Sequence, residues 1–139
     1  MIKNKVQAVI FTNAQGNKKQ FLLLRMNERR GLYWQNVTGG VEENESFEQA
    51  AIREAIEETA LNKSNIKKVT TSQLSFEFID QWENQVLEKV FFIECISKWD
   101  IKLDPSEHIN FAWVSESEIK RDSVHFESNY KCLHEVILS

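Results

Sequence analysis

Apolar and polar positions follow two distinct rhythms along this chain. Val6 to Phe11 is an apolar run interrupted only by Gln7, which predicts a buried strand. Asn13-Ala14-Gln15-Gly16-Asn17 predicts a turn, and Phe21 to Leu24 a second buried strand, so the two are expected to pair as a hairpin. A polar loop from Arg25 to Arg30 closes at Gly31, and Leu32 to Val37 reads as a short extended piece ending at Thr38-Gly39-Gly40. Ser46-Phe47-Glu48-Gln49 has the spacing of a capping box, and good helix formers follow it to about Thr59 or Ala60. Beyond the helix, Leu74, Phe76 and Phe78 alternate within Val69–Ile79, as on a half-buried strand. Glu83-Asn84 marks a turn, and Val90 to Ile93 the return strand. Asp104 to His108 is a loop, and Phe111 to Val114 a short strand. Ser115-Glu116-Ser117-Glu118 has a second capping-box spacing, predicting a short helix. A last helix is expected from about Asn129, with Leu133, Val136 and Ile137 as its apolar stripe. Intermixed strands and helices predict an α/β fold with a mixed sheet.

Length and composition set the scale. The 139 residues suit a single domain with one substantial core, and 42% hydrophobic with 27% charged residues is ordinary for a soluble globular protein. A net charge of −4 argues against a nucleic-acid polymer or an anionic membrane as partner. It leaves room for a phosphorylated small molecule, because a bound cation reverses the local sign of a pocket. Cys95 and Cys132 are far apart and lack metal-type spacing, so both are expected as small core residues in a reduced compartment. The apolar run near the start is too short for a signal peptide or a membrane span, and a cytoplasmic location is expected.

The helix after Ser46 carries the candidate chemistry. Glu54, Glu57 and Glu58 stand at i, i+3 and i+4 and share one face, with Cβ atoms about 5–6 Å apart. Like charges at that spacing repel, and a hard divalent cation such as Mg²⁺ is the counter-charge that suits carboxylate oxygens. Arg53 competes for them, since it can pair with Glu57 at i+4.

The stretch from Gly39 to Leu61 resembles the Nudix box. Gly39, Glu45, Arg53, Glu54, Glu57, Glu58 and Leu61 fall on its fixed positions, while Ala60 stands where the family has glycine. The family glycine suits a left-handed helix cap, a conformation that costs alanine about 1 kcal/mol. Either Ala60 accepts that cost or the helix runs on to cap at Asn62. The resemblance implies a Nudix fold over residues 1–139, an α/β/α sandwich with a central mixed sheet. It also implies a Mg²⁺-dependent hydrolase of diphosphate linkages, with Mn²⁺ as a substitute. Gly39, Glu54, Glu57, Glu58 and Glu107 form the implied metal set, Arg53 orients glutamates, and Glu45 supports the site from the loop. Either Glu54 or Glu107 is the implied general base.

Further stretches resemble dihydroneopterin triphosphate diphosphatases within the family. These are Trp34-Gln35-Asn36-Val37-Thr38-Gly39-Gly40-Val41-Glu42-Glu43, the Glu107-His108 pair before Phe111 and Trp113, and Ser128-Asn129. General nucleoside triphosphate members share parts of them. A flat pterin or purine wants aromatic walls and amides, which Trp34, Gln35 and Phe126 are candidates to offer, with Thr38 and Asn129 beside them. Arg25, Arg29 and Arg30, and more weakly Lys5, are candidates for the triphosphate. His108 is a candidate to bond the substrate or to orient the loop. The expected reaction releases a monophosphate and pyrophosphate from dihydroneopterin triphosphate or a purine deoxynucleoside triphosphate, in a monomer or homodimer. Other nucleotide diphosphates, such as ADP-ribose or dinucleoside polyphosphates, and a non-catalytic nucleotide sensor remain as alternatives.

Overall fold

The computed structural model describes residues 2–15 and 18–139. The predicted turn at Asn13–Asn17 therefore falls partly on Gly16 and Asn17, outside the described residues. The main elements are β1 (Ile2–Gln15), β2 (Lys18–Met26), β3 (Trp34–Gln35), β4 (Val37–Gly40) and α1 (Phe47–Thr59). They continue with β5 (Ile66–Ile79), β6 (Gln85–Cys95), β7 (His108–Ser115) and α2 (Glu127–Leu138).

The strands make one mixed seven-stranded sheet with the path β3-β2-β1-β6-β5, β4 pairing with β1 and β7 with β2. β1 is its axis. It runs parallel to β6 from Ile2↔Gln85 to Thr12↔Cys95 and antiparallel to both β2 and β4. The expected hairpin forms, with Phe11 opposite Phe21.

Alternation along β1 explains why its apolar run is continuous. Val6, Ala8 and Ile10 join the core under α1, with Leu22, Leu24, Phe91 and Ile93. Val9 and Phe11 point the other way, into a core with Phe21, Leu23 and the α2 residues Cys132, Leu133 and Val136. A strand covered on both faces needs apolar residues at consecutive positions. The helices thus lie on opposite faces, giving the α/β/α layering, and both cysteines are buried as expected. No described helix is long and apolar enough to cross a membrane.

The first capping box forms as its spacing predicts. Ser46 Oγ accepts from the Gln49 amide at 3.1 Å, and Gln49 Oε1 accepts from the Ser46 amide at 2.9 Å. The fully buried Ala50, Ala51 and Ala55 let α1 lie close against the sheet. At its other end Ala60 itself takes the left-handed conformation, with φ 60° and ψ 28°. Asn62 does not cap α1: it is extended and caps the next single turn by accepting from the Ser64 amide. The helix stops at Thr59 because its carbonyl is claimed from outside, by Trp99 Nε1 at 2.9 Å and the Lys102 amide at 3.3 Å.

Two expectations need correction. The second capping box does not form: Glu116–Glu118 is one 3₁₀ turn without a side-chain cap. Ser115 is still paired with Gln20 in the β2–β7 ladder, and its hydroxyl meets Ser117 Oγ instead. The last helix begins at Glu127 rather than near Asn129, which places Asn129 inside its first turn.

Candidate active site

Arg53 is the organiser of the loop before α1. Its Nε donates to Glu45 Oε2 at 2.7 Å, its Nη2 to Glu45 Oε1 at 3.0 Å and to the Gly40 carbonyl at 2.8 Å. Its Nη1 reaches Glu54 at 2.8 Å and Glu57 at 3.2 Å, and Glu42 lies 3.2 Å from Nε. Glu45 also accepts from the Glu42 amide, closing the loop on itself. The guanidinium holds the Glu45 carboxyl below the usual range, and the carboxylates hold Arg53 firmly charged.

Gly39 is required by a close approach. A Cβ there would lie 2.2 Å from Glu54 Cδ. Strand β4 and helix α1 therefore touch through the Glu54 side chain, which is pressed between them. Burial raises the Glu54 carboxyl against the pull of Arg53.

Glu58 behaves differently from its neighbours. It is 7% exposed, and its Oε2 has no hydrogen-bond partner among the described residues. Burial, reinforced by the charges of Glu54 and Glu107, pushes its carboxyl up to about 9. Glu107 arrives from the loop before β7, half-exposed and 3.8 Å from Arg30. That loop is fastened to the end of β2 by Asn27, whose amide nitrogen donates to the Ser106 carbonyl at 2.6 Å while its backbone donates to Glu107 at 3.0 Å. His108 is 2% exposed, beside Glu58 and Glu107, and burial lowers its imidazole to about 4.

This donor set fits a divalent cation. Glu58 and Glu107 face one another, and a buried carboxylate without a partner is costly unless a counter-charge satisfies it. Glu57, 58% exposed at its side chain, rims the same helix face.

A cavity of about 460 Å³ opens on the α2 side of the sheet, bordered by Lys5, Arg30, Gln35, Thr38, Phe126 and Asn129 among others. Tyr33 stacks on His125 at 4.5 Å and meets Phe126 edge-on at 5.2 Å, giving the cavity an aromatic side. A buried polar chain lies behind it. Gln7 Nε2 donates to Glu88 at 2.9 Å, Asn36 Nδ2 to Gln7 Oε1 at 2.8 Å, and the Asn36 amide to Asn129 Oδ1 at 2.7 Å. Arg30 borders the cavity and pairs with Glu107, so it joins the cavity to the acidic cluster.

The structure gathers some expected residues and separates others. Glu54, Glu58, Glu107 and His108 come together, as do Lys5, Gln35, Thr38 and Asn129. Trp34 lies outside the cavity wall and packs against the α2-side core. Arg25 donates to the Leu32 carbonyl at 2.9 Å, fastening the β2–β3 turn, and Arg29 borders a separate shallow surface with Ser106 and Ile109. Tyr33, Gln7, Asn36 and Glu88 were missed as site-forming residues. Gln7 had a visible signal, as the one polar residue in the β1 apolar run.

The NUDIX domain family model matches residues 3–135, and the chain belongs to the Nudix family. Within the family it is similar to a dihydroneopterin triphosphate diphosphatase of Escherichia coli K12, 38% identical over 60 residues. That stretch spans 43% of this chain and 39% of the relative's length. The solved E. coli dihydroneopterin triphosphate pyrophosphohydrolase superposes with a TM-score of 0.78 at 21% identity, covering 97% of this chain and 94% of that one. A Caenorhabditis elegans Ap4A hydrolase complex gives 0.68 at 22% identity, covering 95% and 94%. At these identities the two structures speak for the shared fold.

Proposed function

We propose that this protein is a Mg²⁺-dependent pyrophosphohydrolase, with Mn²⁺ able to substitute, acting on dihydroneopterin triphosphate or a purine deoxynucleoside triphosphate. The products are the monophosphate and pyrophosphate. One observation carries the reading: the partnerless Glu58 carboxylate faces Glu107, and Arg30 links that pair to a cavity with an aromatic side and buried amides behind it. The partial sequence similarity to a dihydroneopterin triphosphate diphosphatase supports the substrate class.

Each residue has a role that its position favours. Glu54, Glu57, Glu58 and Glu107 hold the cation, with Gly39 giving Glu54 room. When bound, Mg²⁺ neutralises phosphate oxygens and lowers the pKa of a coordinated water. Arg53 keeps Glu54 and Glu57 aimed along one helix face. Glu54 and Glu107 are the two candidates to take a proton from an attacking water. Arg30 meets the polyphosphate between cavity and cluster, with Lys5 at the cavity wall. Gln35, Thr38 and Asn129 bond the heterocycle, and Tyr33 and Phe126 cover its face.

Pyrophosphate release tests this. Purified protein with Mg²⁺ is assayed on dihydroneopterin triphosphate, dATP, 8-oxo-dGTP, diadenosine tetraphosphate and ADP-ribose. The highest kcat/KM is expected on the pterin or a purine triphosphate. Glu57→Gln and Glu58→Gln should each lower kcat by about 100–1,000-fold. Preference for the dinucleotide or ADP-ribose would overturn the substrate assignment, and silence on every substrate would overturn the enzyme reading in favour of a nucleotide-binding domain.

A further inference from the structure

Glu58, Glu107 and His108 each offer one ligand atom, and these atoms lie within 4.8 Å of one another. His108 is nearly sealed from solvent, yet neither of its ring nitrogens has a hydrogen-bond partner among the described residues. A neutral imidazole always carries one donor and one acceptor, and leaving both unmet in the interior is costly. Glu58 Oε2 is partnerless at the same place. One cation in contact with all three residues would satisfy the carboxylate and the acceptor nitrogen together.

The backbone delivers these groups through an irregularity. In the β2–β7 ladder Arg25 faces Asn110 and Met26 faces His108, so Ile109 is an extra residue on β7. A bulge of this kind re-aims the side chains beside it. His108 is the first residue of β7 and Glu107 belongs to the turn before it, so the strand alternation that sends successive side chains to opposite faces does not separate them, and both reach the cluster.

We propose that His108 is a nitrogen ligand of a divalent cation shared with Glu58 and Glu107, and that this donor set favours a first-row transition ion such as Mn²⁺ over Mg²⁺. Mg²⁺ is an oxygen-seeking ion that parts with its waters reluctantly, whereas Mn²⁺, although also at home among carboxylates and the weakest binder of the first-row series, accepts a nitrogen in its shell more readily. The inference rests on the divalent-cation reading of the site and is independent of the substrate.

The test is electron spin echo envelope modulation of the protein loaded with one Mn²⁺, prepared with ¹⁴N- or ¹⁵N-histidine. A directly coordinated imidazole nitrogen is expected to modulate the echo, to change with the label, to vanish in His108→Gln and to persist in His125→Gln. Calorimetry should show the Mn²⁺ Kd rising by about tenfold or more in His108→Gln. The Mg²⁺ Kd should change much less. Circular dichroism checks that the variant is folded; if it is not, the labelled wild-type spectrum decides. Bound Mn²⁺ without histidine coupling, or with coupling that survives His108→Gln in a folded variant, overturns the inference and leaves the pyrophosphohydrolase reading standing. Failure to bind Mn²⁺ or Mg²⁺ at all overturns both.

Discussion

Two carboxylate clusters lie along α1, and they are built on opposite principles. Around Arg53, four glutamates converge on one guanidinium, and its donors are used on them and on the Gly40 carbonyl. Around Glu58, carboxylates and an imidazole converge with Arg30 at the rim beside Glu107, and buried atoms of Glu58 and His108 have no partner among the described residues. In the first cluster each carboxylate has the guanidinium as a partner, although one positive charge does not balance four negative ones. The second stores unfavourable burial that only something added from outside relieves. A site that must take up a charged ligand has to be left incomplete by the fold.

Three substitutions sharpen that contrast, beginning with the largest expected effect. A carboxyl whose folded pKa lies above its unfolded value binds its proton more tightly in the native state. For Glu58 the native state of metal-free protein therefore loses stability as pH rises from 4.5 towards about 9. Glu58→Gln should remove much of that slope and stabilise the metal-free protein at pH 8 by several kcal/mol, since each tenfold difference in proton affinity is worth about 1.4 kcal/mol. Melting curves from pH 5 to 9 check this, and equal slopes in both proteins would show that Glu58 is not strained. Arg53→Ala should act in the opposite direction. It strands the partly buried Glu54, with an expected loss of about 1–3 kcal/mol in urea unfolding. An unchanged midpoint would mean that the cluster is no more than a surface ion network. The smallest effect is expected outside both clusters. Ala60→Gly relieves a left-handed alanine and should stabilise by about 1 kcal/mol, leaving kcat/KM unchanged. A lower melting temperature would show that chain entropy outweighs the strain.

The sequence disclosed the parts governed by local rules. The α1 capping box, the β1–β2 hairpin and the double-sided burial of β1 follow from spacing and alternation, and the box positions from their fixed order. Burial of individual polar groups was not legible, because it depends on which strand covers which face. Nothing within Glu54–Glu58 distinguishes the exposed Glu57 from the sealed Glu58; the loop before β7 makes that difference. The Ser115 spacing matches that of Ser46, yet one cap forms and the other does not. Ser115 is still tied into a strand ladder, and a local pattern cannot register a distant partner. Ala60 shows the same limit from another side: Trp99, well downstream in sequence, fixes where α1 ends.

The buried chain from Glu88 to Asn129 has a direction, set at one end by a group that cannot reverse. The Asn36 peptide N–H can only donate, so the Asn129 atom facing it must be the oxygen. The Asn36 side chain likewise turns its nitrogen towards the Asn129 carbonyl, which obliges Gln7 to offer oxygen on that side and nitrogen to Glu88. Every amide in the row is thus locked in one sense, like a line of valves. With its oxygen engaged, Asn129 turns its NH₂ group the other way, where it meets Ser128 Oγ at 3.5 Å on the border of the cavity. An asparagine with no freedom to turn round presents a donor, never an acceptor, on that side.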